Sequence, residues 1–105
     1  MRLFVLSSIA VATLWGASPG SSAAGKGVYD KSCKSCHGAA GQGNPAIGKM
    51  LKVEFRHLGS KEVQAKTDEE LNKVVTQGTG KMKPVAGLSK KQVEDVLAYV
   101  RSLKQ

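Results

Sequence analysis

The sequence Cys33-Lys34-Ser35-Cys36-His37 decides how the rest of this chain is interpreted. It follows the pattern Cys-x-x-Cys-His, which is the attachment signature of a c-type haem. In that chemistry the two cysteine sulfurs add to the two vinyl groups of one haem, and the histidine is the proximal ligand of the iron. The chain contains only two cysteines, so the motif uses both. We therefore predict that Cys33 and Cys36 attach one haem and that His37 binds its iron.

Three other interpretations of the motif remain open. A thioredoxin-like redox pair also uses Cys-x-x-Cys, but it occurs beside a βαβ pattern that is not evident here. A zinc site needs four ligands, and the two cysteines with His37 and the distant His57 fit no usual zinc-finger spacing. A plain disulfide would close a very short loop and would constrain the unfolded chain little.

The first 24 residues have the pattern of a secretory signal peptide. A positive charge near the start precedes a mostly apolar stretch over residues 3–15, and small residues then favour cleavage after Ala23 or Ala24. A retained membrane anchor is the alternative, but an apolar run of about 13 residues is shorter than the roughly 20 that a span needs. We expect the signal to be removed and residues 25–105 to form one domain.

Export and haem attachment support each other, because covalent haem attachment in bacteria takes place outside the inner membrane. The expected destination is the periplasm or an equivalent exterior space. Removal of 24 residues would leave 81, and a domain of that size forms only a thin core from its own side chains. A buried haem would supply the missing apolar surface.

The chain is basic, with a formal net charge of +8. A basic exported haem protein is expected to meet an acidic redox partner or an anionic membrane surface rather than nucleic acid. The alternative is that scattered lysines only keep the protein soluble.

Helical segments are predicted on either side of two loops. Gly25–Lys34 is the first helix and leads into the motif. Residues 67–77 form a second helix, with Thr67 as the N-cap of a capping box. Ser89 begins the last helix, and Gln92 completes its capping box.

The loops are expected to carry contacts to the haem. Residues 38–48 form a glycine-rich loop, in which the carbonyl of Pro45 or a neighbour accepts a hydrogen bond from the second ring nitrogen of His37. A proline that only stiffens the loop is equally compatible with this pattern. Residues 49–58 are predicted to be irregular rather than a strand, and Ser60 is predicted to cap a short helical turn.

The sixth position on the iron has three candidate ligands. Met82 lies between Gly80 and Pro84 in a loop between two helices, where a methionine has little reason to be unless it turns inward. Met50 stands beside an apolar residue and is predicted to be core filler. His57 would give a haem with two histidine ligands. We predict Met82, by analogy with His/Met ligation in c-type electron carriers.

Three stretches of the sequence resemble the class I cytochrome c family. They are residues 33–38, residues 80–84 and the ending at residues 96–103. The resemblance covers essentially the whole mature chain and is closest to the short bacterial monohaem members. It implies an all-α fold wrapped around one covalently attached haem c, with the N- and C-terminal helices crossing. By this match Val28 and Tyr29 would meet Leu97 and Tyr99 at the crossing.

The resemblance also implies roles for individual residues. Haem attachment falls to Cys33 and Cys36, and axial ligation of the iron falls to His37 and Met82. One departure from the family pattern is Lys83, since many members have proline immediately after the methionine.

The expected function is that of a monomeric, periplasmic, non-enzymatic electron carrier that exchanges single electrons with redox partner proteins. In this interpretation Met82 closes the iron to other ligands. The alternative is a haem enzyme or gas-binding protein with an open sixth position, for which only His57 is available as a distal acid–base group. A third hypothesis is a haem domain that only docks on a larger oxidoreductase.

Overall fold

The computed structural model describes residues 20–105, and in this range the chain forms six helices and no strand. The helices are α1 (Ser22–Ser32), α2 (Lys34–His37), α3 (Pro45–Leu51), α4 (Lys61–Gln64), α5 (Asp68–Gln77) and α6 (Lys90–Ser102). The expected all-α architecture is confirmed. None of these helices has the length and apolar character needed to cross a membrane. Most of the predicted signal peptide, residues 1–19, lies outside the described residues.

The two predicted capping positions begin the two main amphipathic helices. Thr67 Oγ1 accepts a hydrogen bond from the backbone N–H of Glu70, at the start of α5. Its hydroxyl also lies 3.2 Å from Oε1 of Glu70, so the two side chains bond to each other. At the start of α6, Ser89 and Gln92 form the reciprocal capping box as predicted. These local bonds satisfy the free N–H groups that every helix start exposes.

The first helix begins earlier than the sequence predicts and ends before the motif. Ser21 caps α1 by accepting a hydrogen bond from the N–H of Ala24, so the helix starts at Ser22 rather than Gly25. The chain then turns at Cys33 into the separate short helix α2. The predicted cleavage positions after Ala23 and Ala24 fall inside α1, and cleavage itself stays a prediction.

The apolar core lies between α4, α5 and α6. Its buried members are Val63, Leu71, Val93 and Leu97. Three half-buried side chains pack against this cluster, and they are Leu58, Val75 and Leu88. The spacing of the apolar residues on α5 and α6 turns one stripe of each helix toward this cluster, as the helical period requires.

Helices α1 and α6 approach each other closely at Gly25. A Cβ atom at this position would lie 1.9 Å from the carbonyl oxygen of Asp95, so no side chain fits between the two backbones. One turn further on, the ring of Tyr29 packs against that of Tyr99 with centroids 5.0 Å apart and planes tilted by 55°. Tyr29 is completely buried. The expected contact between the N- and C-terminal helices is therefore confirmed.

The other two expected residues of the crossing also have neighbours outside it. Leu97 belongs to the core cluster with Val63 and Leu71. Val28 is half-buried and lines a small cavity with Leu88 and Gln92. A contact between Val28 and Leu97 stays a prediction.

We predict that Gly25→Ala destabilises the folded protein, because its methyl group would overlap the carbonyl of Asp95. Overpacking of this kind costs about 1–3 kcal/mol of unfolding free energy. Gly27→Ala is the matched control in the same helix, since a Cβ atom there meets nothing within 4 Å. It should leave stability unchanged or raise it by about 0.5–1 kcal/mol, because alanine favours helix. Denaturant unfolding measures both, and equal stabilities would contradict the close helix contact.

Candidate cofactor-attachment site

The motif consists of Cys33, at the junction of α1 and α2, and the single turn of α2 that follows it. The N–H of Cys33 donates to the carbonyl of Tyr29 at 2.8 Å and closes α1. The N–H groups of Cys36 and His37 both donate back to the carbonyl of Cys33, at 3.2 and 2.9 Å. These bonds hold the three side chains on neighbouring positions of a single helical turn, as the spacing of the motif predicts.

Both cysteines are free thiols and are half-buried. Burial raises the pKa of Cys33 to about 11, and the neighbouring Cys36 adds to this effect. Cys33 is therefore a protonated thiol at neutral pH. Two free thiols on one turn have the donor chemistry that thioether attachment requires.

His37 lies in surroundings that favour its neutral form. Burial lowers the pKa of its imidazole, and a histidine must be deprotonated to bind a metal ion. The ring of Phe55 packs edge-on against it, with centroids 5.5 Å apart and planes at 68°. Within the described residues, Nδ1 of His37 is buried without a hydrogen-bond partner. The expected hydrogen bond from His37 to the carbonyl of Pro45 or a neighbour is not formed.

The chain after the motif folds back against it. The N–H of Gly43 donates to the carbonyl of His37 at 2.6 Å, and the N–H of Asn44 donates to that of Cys36 at 2.8 Å. Gly43 has a φ of 87°, and a Cβ atom there would lie 2.5 Å from that of Phe55. Only glycine fits this position, where the backbone passes directly beside the aromatic ring that contacts His37.

Asn44 is a supporting residue that the sequence analysis missed. Its Oδ1 accepts hydrogen bonds from the N–H groups of Ala46 and Ile47 and caps α3. Its Nδ2 donates to the carbonyl of Ser35 in the motif, at 3.1 Å. The predicted loop over residues 38–48 was therefore wrong at its end, where α3 begins. The signal was present in the sequence, because asparagine before proline is a typical N-cap with proline in the first turn.

Tyr29 connects the buried helix contact to the motif. Its hydroxyl donates to the carbonyl of Gly38, the residue after His37, at 2.5 Å. Burial raises the pKa of Tyr29 to about 12, so the phenol stays protonated and remains a donor. The sequence predicted Tyr29 at the helix crossing but gave no indication of this second contact.

A cavity of about 350 Å³ lies between α3 and the irregular segment that follows it. Gly43 and Phe55 line it on the side of the motif, and Gly48 and Val53 line it on the side of α3. Residues 53–57 are irregular as predicted, whereas residues 49–51 belong to α3.

Met82 lies in the loop between α5 and α6 and is half-buried. Its N–H and carbonyl exchange hydrogen bonds with Thr79, at 2.8 and 3.0 Å. The N–H of Val85 donates to the carbonyl of Val75 and ties the loop to α5. Nζ of Lys81 donates to the carbonyl of Leu51 at the end of α3. These bonds bring the loop that carries Met82 against the helix that follows the motif.

The two rival axial candidates have other environments. The Met50 residue is 70% exposed, so its prediction as core filler was wrong; it points out from the solvent side of α3. Nδ1 of His57 accepts a hydrogen bond from the N–H of Gly59 at 2.9 Å. This bond engages one of the two ring nitrogens of His57 within its own turn.

Comparisons with known proteins agree on one family. The cytochrome c family model matches residues 22–104. Cytochrome c-554(547) of Halothiobacillus neapolitanus is 31% identical over 90 residues, which cover 81% of this chain and 99% of that protein. Among solved structures, the KustC0563 c-type cytochrome aligns with a TM-score of 0.66 and 28% identity, covering 77% of this chain and 98% of that one.

We predict that Tyr29→Phe destabilises the region around the motif. The substitution keeps the aromatic packing and removes only the hydroxyl, so the partly buried carbonyl of Gly38 loses its shorter hydrogen bond and keeps the longer one, from the N–H of Gly41 at 3.3 Å. Loss of one such bond costs about 0.5–1.5 kcal/mol of unfolding free energy.

Tyr99→Phe is the matched control, because the hydroxyl of Tyr99 makes no hydrogen bond to the described part of the chain. It should change the unfolding free energy by less than about 0.5 kcal/mol. Denaturant unfolding followed by far-UV circular dichroism compares the two. Equal losses would show that the bond from Tyr29 to Gly38 contributes nothing.

Proposed function

This chain belongs to the cytochrome c family, and we propose that it is an electron carrier whose haem c is attached through the motif at residues 33–37. The family fold is all-α, and its cofactor is a covalently attached haem c with iron. When bound, the haem supplies one-electron chemistry by alternating between ferrous and ferric iron. The observation that carries the proposal is the helical turn that presents two free thiols beside the half-buried imidazole of His37, whose pKa is lowered by burial.

We assign the attachment to Cys33 and Cys36 and the proximal ligation to His37. The turn supports this assignment, because it keeps the three side chains adjacent. Two hydrogen bonds fix the loop after the motif at its ends. The carbonyl of Gly38 accepts one from the hydroxyl of Tyr29, and the N–H of Gly43 donates the other to the carbonyl of His37. The role of these residues is to present the imidazole in one orientation, so that the ligand set need not rearrange when the iron changes its charge.

We assign the sixth position to Met82. The half-buried loop position supports this choice, as do the paired hydrogen bonds with Thr79 that fix the backbone of the ligand. Met50 is exposed, and His57 is engaged with Gly59. A methionine that fills the sixth position excludes other molecules from the iron, and this suits transfer of electrons rather than catalysis.

We further propose that the protein is exported and acts in the periplasm. The apolar, signal-like stretch at residues 3–15 supports export, and attachment of haem to both cysteines requires it in bacteria. The protein would then meet membrane surfaces and redox partners outside the cytoplasm, and we expect it to be monomeric.

The proposed partner is a redox protein with an acidic docking surface. Lys34, Lys81 and Lys83 are exposed, and each lies within three residues of a proposed attachment or ligand position. They would surround the edge at which electrons enter and leave. The net charge of +8 favours encounter with an anionic surface at long range.

We predict that Met82→Ala lowers the reduction potential by roughly 120 mV. A thioether prefers ferrous to ferric iron; if that preference over water is about a hundredfold, the shift follows at 59 mV per tenfold for one electron. The variant should also bind carbon monoxide rapidly in the ferrous form and lose the weak far-red band of a ferric–thioether bond.

Met50→Leu is the control for this experiment, since it removes the other thioether of the domain from an exposed position. Potential, carbon monoxide binding and far-red absorption should all stay at the wild-type values. Loss of the band in Met50→Leu alone would move the ligand to Met50. An effect in His57→Ala alone would indicate two histidine ligands. Rapid carbon monoxide binding by the unaltered protein would favour an enzyme or gas-binding function.

We predict that electron exchange with an acidic partner slows as salt rises. The attraction between charged surfaces is screened over about 10 Å at 0.1 M salt. The double variant Lys34→Glu, Lys83→Glu should show a slower rate and a weaker salt dependence by stopped-flow spectroscopy. Lys66→Glu, Lys104→Glu makes the same change of charge away from the motif, and it should retain most of the wild-type salt dependence. If both double variants changed the rate and its salt dependence equally, the net charge of the protein, and not the position of Lys34 and Lys83, would be the cause.

A further inference from the structure

Asp95 is the one charged side chain that is buried in the described part of the chain. It lies on α6 where that helix meets α1. Its Oδ1 accepts two hydrogen bonds, one from Nζ of Lys91 and one from the backbone N–H of Ser21, each at 2.8 Å. These two donors hold the pKa of the Asp95 carboxyl below its usual value. A buried carboxylate is stable only with such partners. The N–H of Ser21 therefore helps to stabilise the charged form of Asp95 in its buried position.

The chain around Ser21 is built into the fold. Ser21 caps α1 through the N–H of Ala24. A Cβ atom on Gly20 would lie 2.0 Å from the carbonyl oxygen of Glu94, and one on Gly25 would lie 1.9 Å from that of Asp95. The stretch from Gly20 to Gly25 therefore runs in direct contact with the backbone of α6.

Within the stretch from Gly20 to Gly25, five peptide bonds have small residues three places and one place before the cut, as signal peptidase requires. These bonds follow Gly20, Ser22, Ala23, Ala24 and Gly25. A cut after any of the last four would remove the cap of α1 and one of the two partners of Asp95. A cut after Gly20 removes neither. The family match also begins within this stretch, at residue 22.

We propose that signal peptidase cuts between Gly20 and Ser21 and that the new α-ammonium of Ser21 binds the buried carboxylate of Asp95. Hydrolysis of this bond consumes one water, leaves a carboxylate on Gly20 and leaves an amine on Ser21, which takes up a proton at neutral pH. The inference rests on the export that is part of the proposed function. It makes Asp95 the receptor for the mature N-terminus.

The contact becomes stronger after the cut than before it. In the uncut chain Ser21 offers one neutral N–H, and afterwards the same nitrogen carries a positive charge and more than one donor. Hydrogen bonds between ionised partners are roughly twice as strong as neutral ones. A positive charge at the start of a helix is unfavourable by itself, and Asp95 opposes this effect. The other charged groups near the carboxylate are Lys91, which shares it, and Glu94 on the preceding position of α6.

The first test is the N-terminus of the exported holoprotein. The full chain is expressed in a bacterium with haem-attachment machinery, and the haem-loaded protein from the periplasmic fraction is examined by intact mass and N-terminal sequencing. A chain that begins at Ser21 supports the proposal. A chain that begins at any residue after Ser21, or one that keeps its signal, overturns it. Haem-free protein confined to the cytoplasm would instead show that export, and with it the proposed function, is wrong.

The second test is the reactivity of the α-amine in the purified holoprotein. Acylating reagents attack only the unprotonated α-amine. A carboxylate that raises the pKa of this amine by one unit lowers the unprotonated fraction about tenfold at neutral pH. Asp95→Asn should therefore speed labelling of Ser21 about tenfold at neutral pH. Asp30→Asn, which removes a carboxylate paired with Lys26 on α1, is the control and should leave the rate unchanged. An unchanged rate in Asp95→Asn overturns the contact.

A second variant keeps the test decisive if Asp95→Asn does not fold. Lys91→Met retains the carboxylate and removes its competing cation, which is itself 58% exposed at the side chain. The α-ammonium is then the only cation paired with Asp95 in this contact, so the pKa of the α-amine should rise further. Labelling should become slower than in the wild type. Labelling that is equal or faster in Lys91→Met would overturn the proposal.

Discussion

The close contact between α1 and α6 is the constraint on which the rest of the structure depends. It requires Gly25 at the point where the two backbones meet, and it buries Tyr29 completely one turn later. The ring of Tyr29 packs against Tyr99, and in this position its hydroxyl reaches the carbonyl of Gly38. The distance between two helices thus sets the position of the backbone immediately after His37.

The proposed site is held differently at its two ends. At the motif, helical hydrogen bonds, the hydroxyl of Tyr29 and the side chain of Asn44 converge on a few residues, and attachment through both cysteines would make that end permanent. At Met82 the chain is a loop, held by its pairing with Thr79 and by the bond from Lys81 to α3. Segments with few buried contacts open first, so local opening of the fold should expose the Met82 side of the iron before the His37 side.

The sequence predicted those parts of the structure that depend on neighbours along the chain. The starts of α5 and α6 were predicted from Thr67 and Ser89, each of which caps its helix through the residue three places later. Both caps are observed. The same rule, applied to Asn44, would have found α3. The partner of His37 and the exposure of Met50 were predicted wrongly, because burial and hydrogen bonding at these positions depend on elements distant in sequence.

The long separation of the contacting residues explains why the fold must form as a unit. Ser21 and Asp95, which are joined by a hydrogen bond, are 74 residues apart in the sequence. The guanidinium of Arg101 donates to the carbonyl of Gln64, 37 residues away. Closing such loops costs conformational entropy that grows only slowly with length, but the contacts that repay it are few in so small a core. Docking of α1 on α6 therefore gains from every contact that orders the intervening chain. Attachment of a cofactor to the end of α1 would order that intervening chain from within, and it would couple the stability of the helix contact to the occupancy of the site.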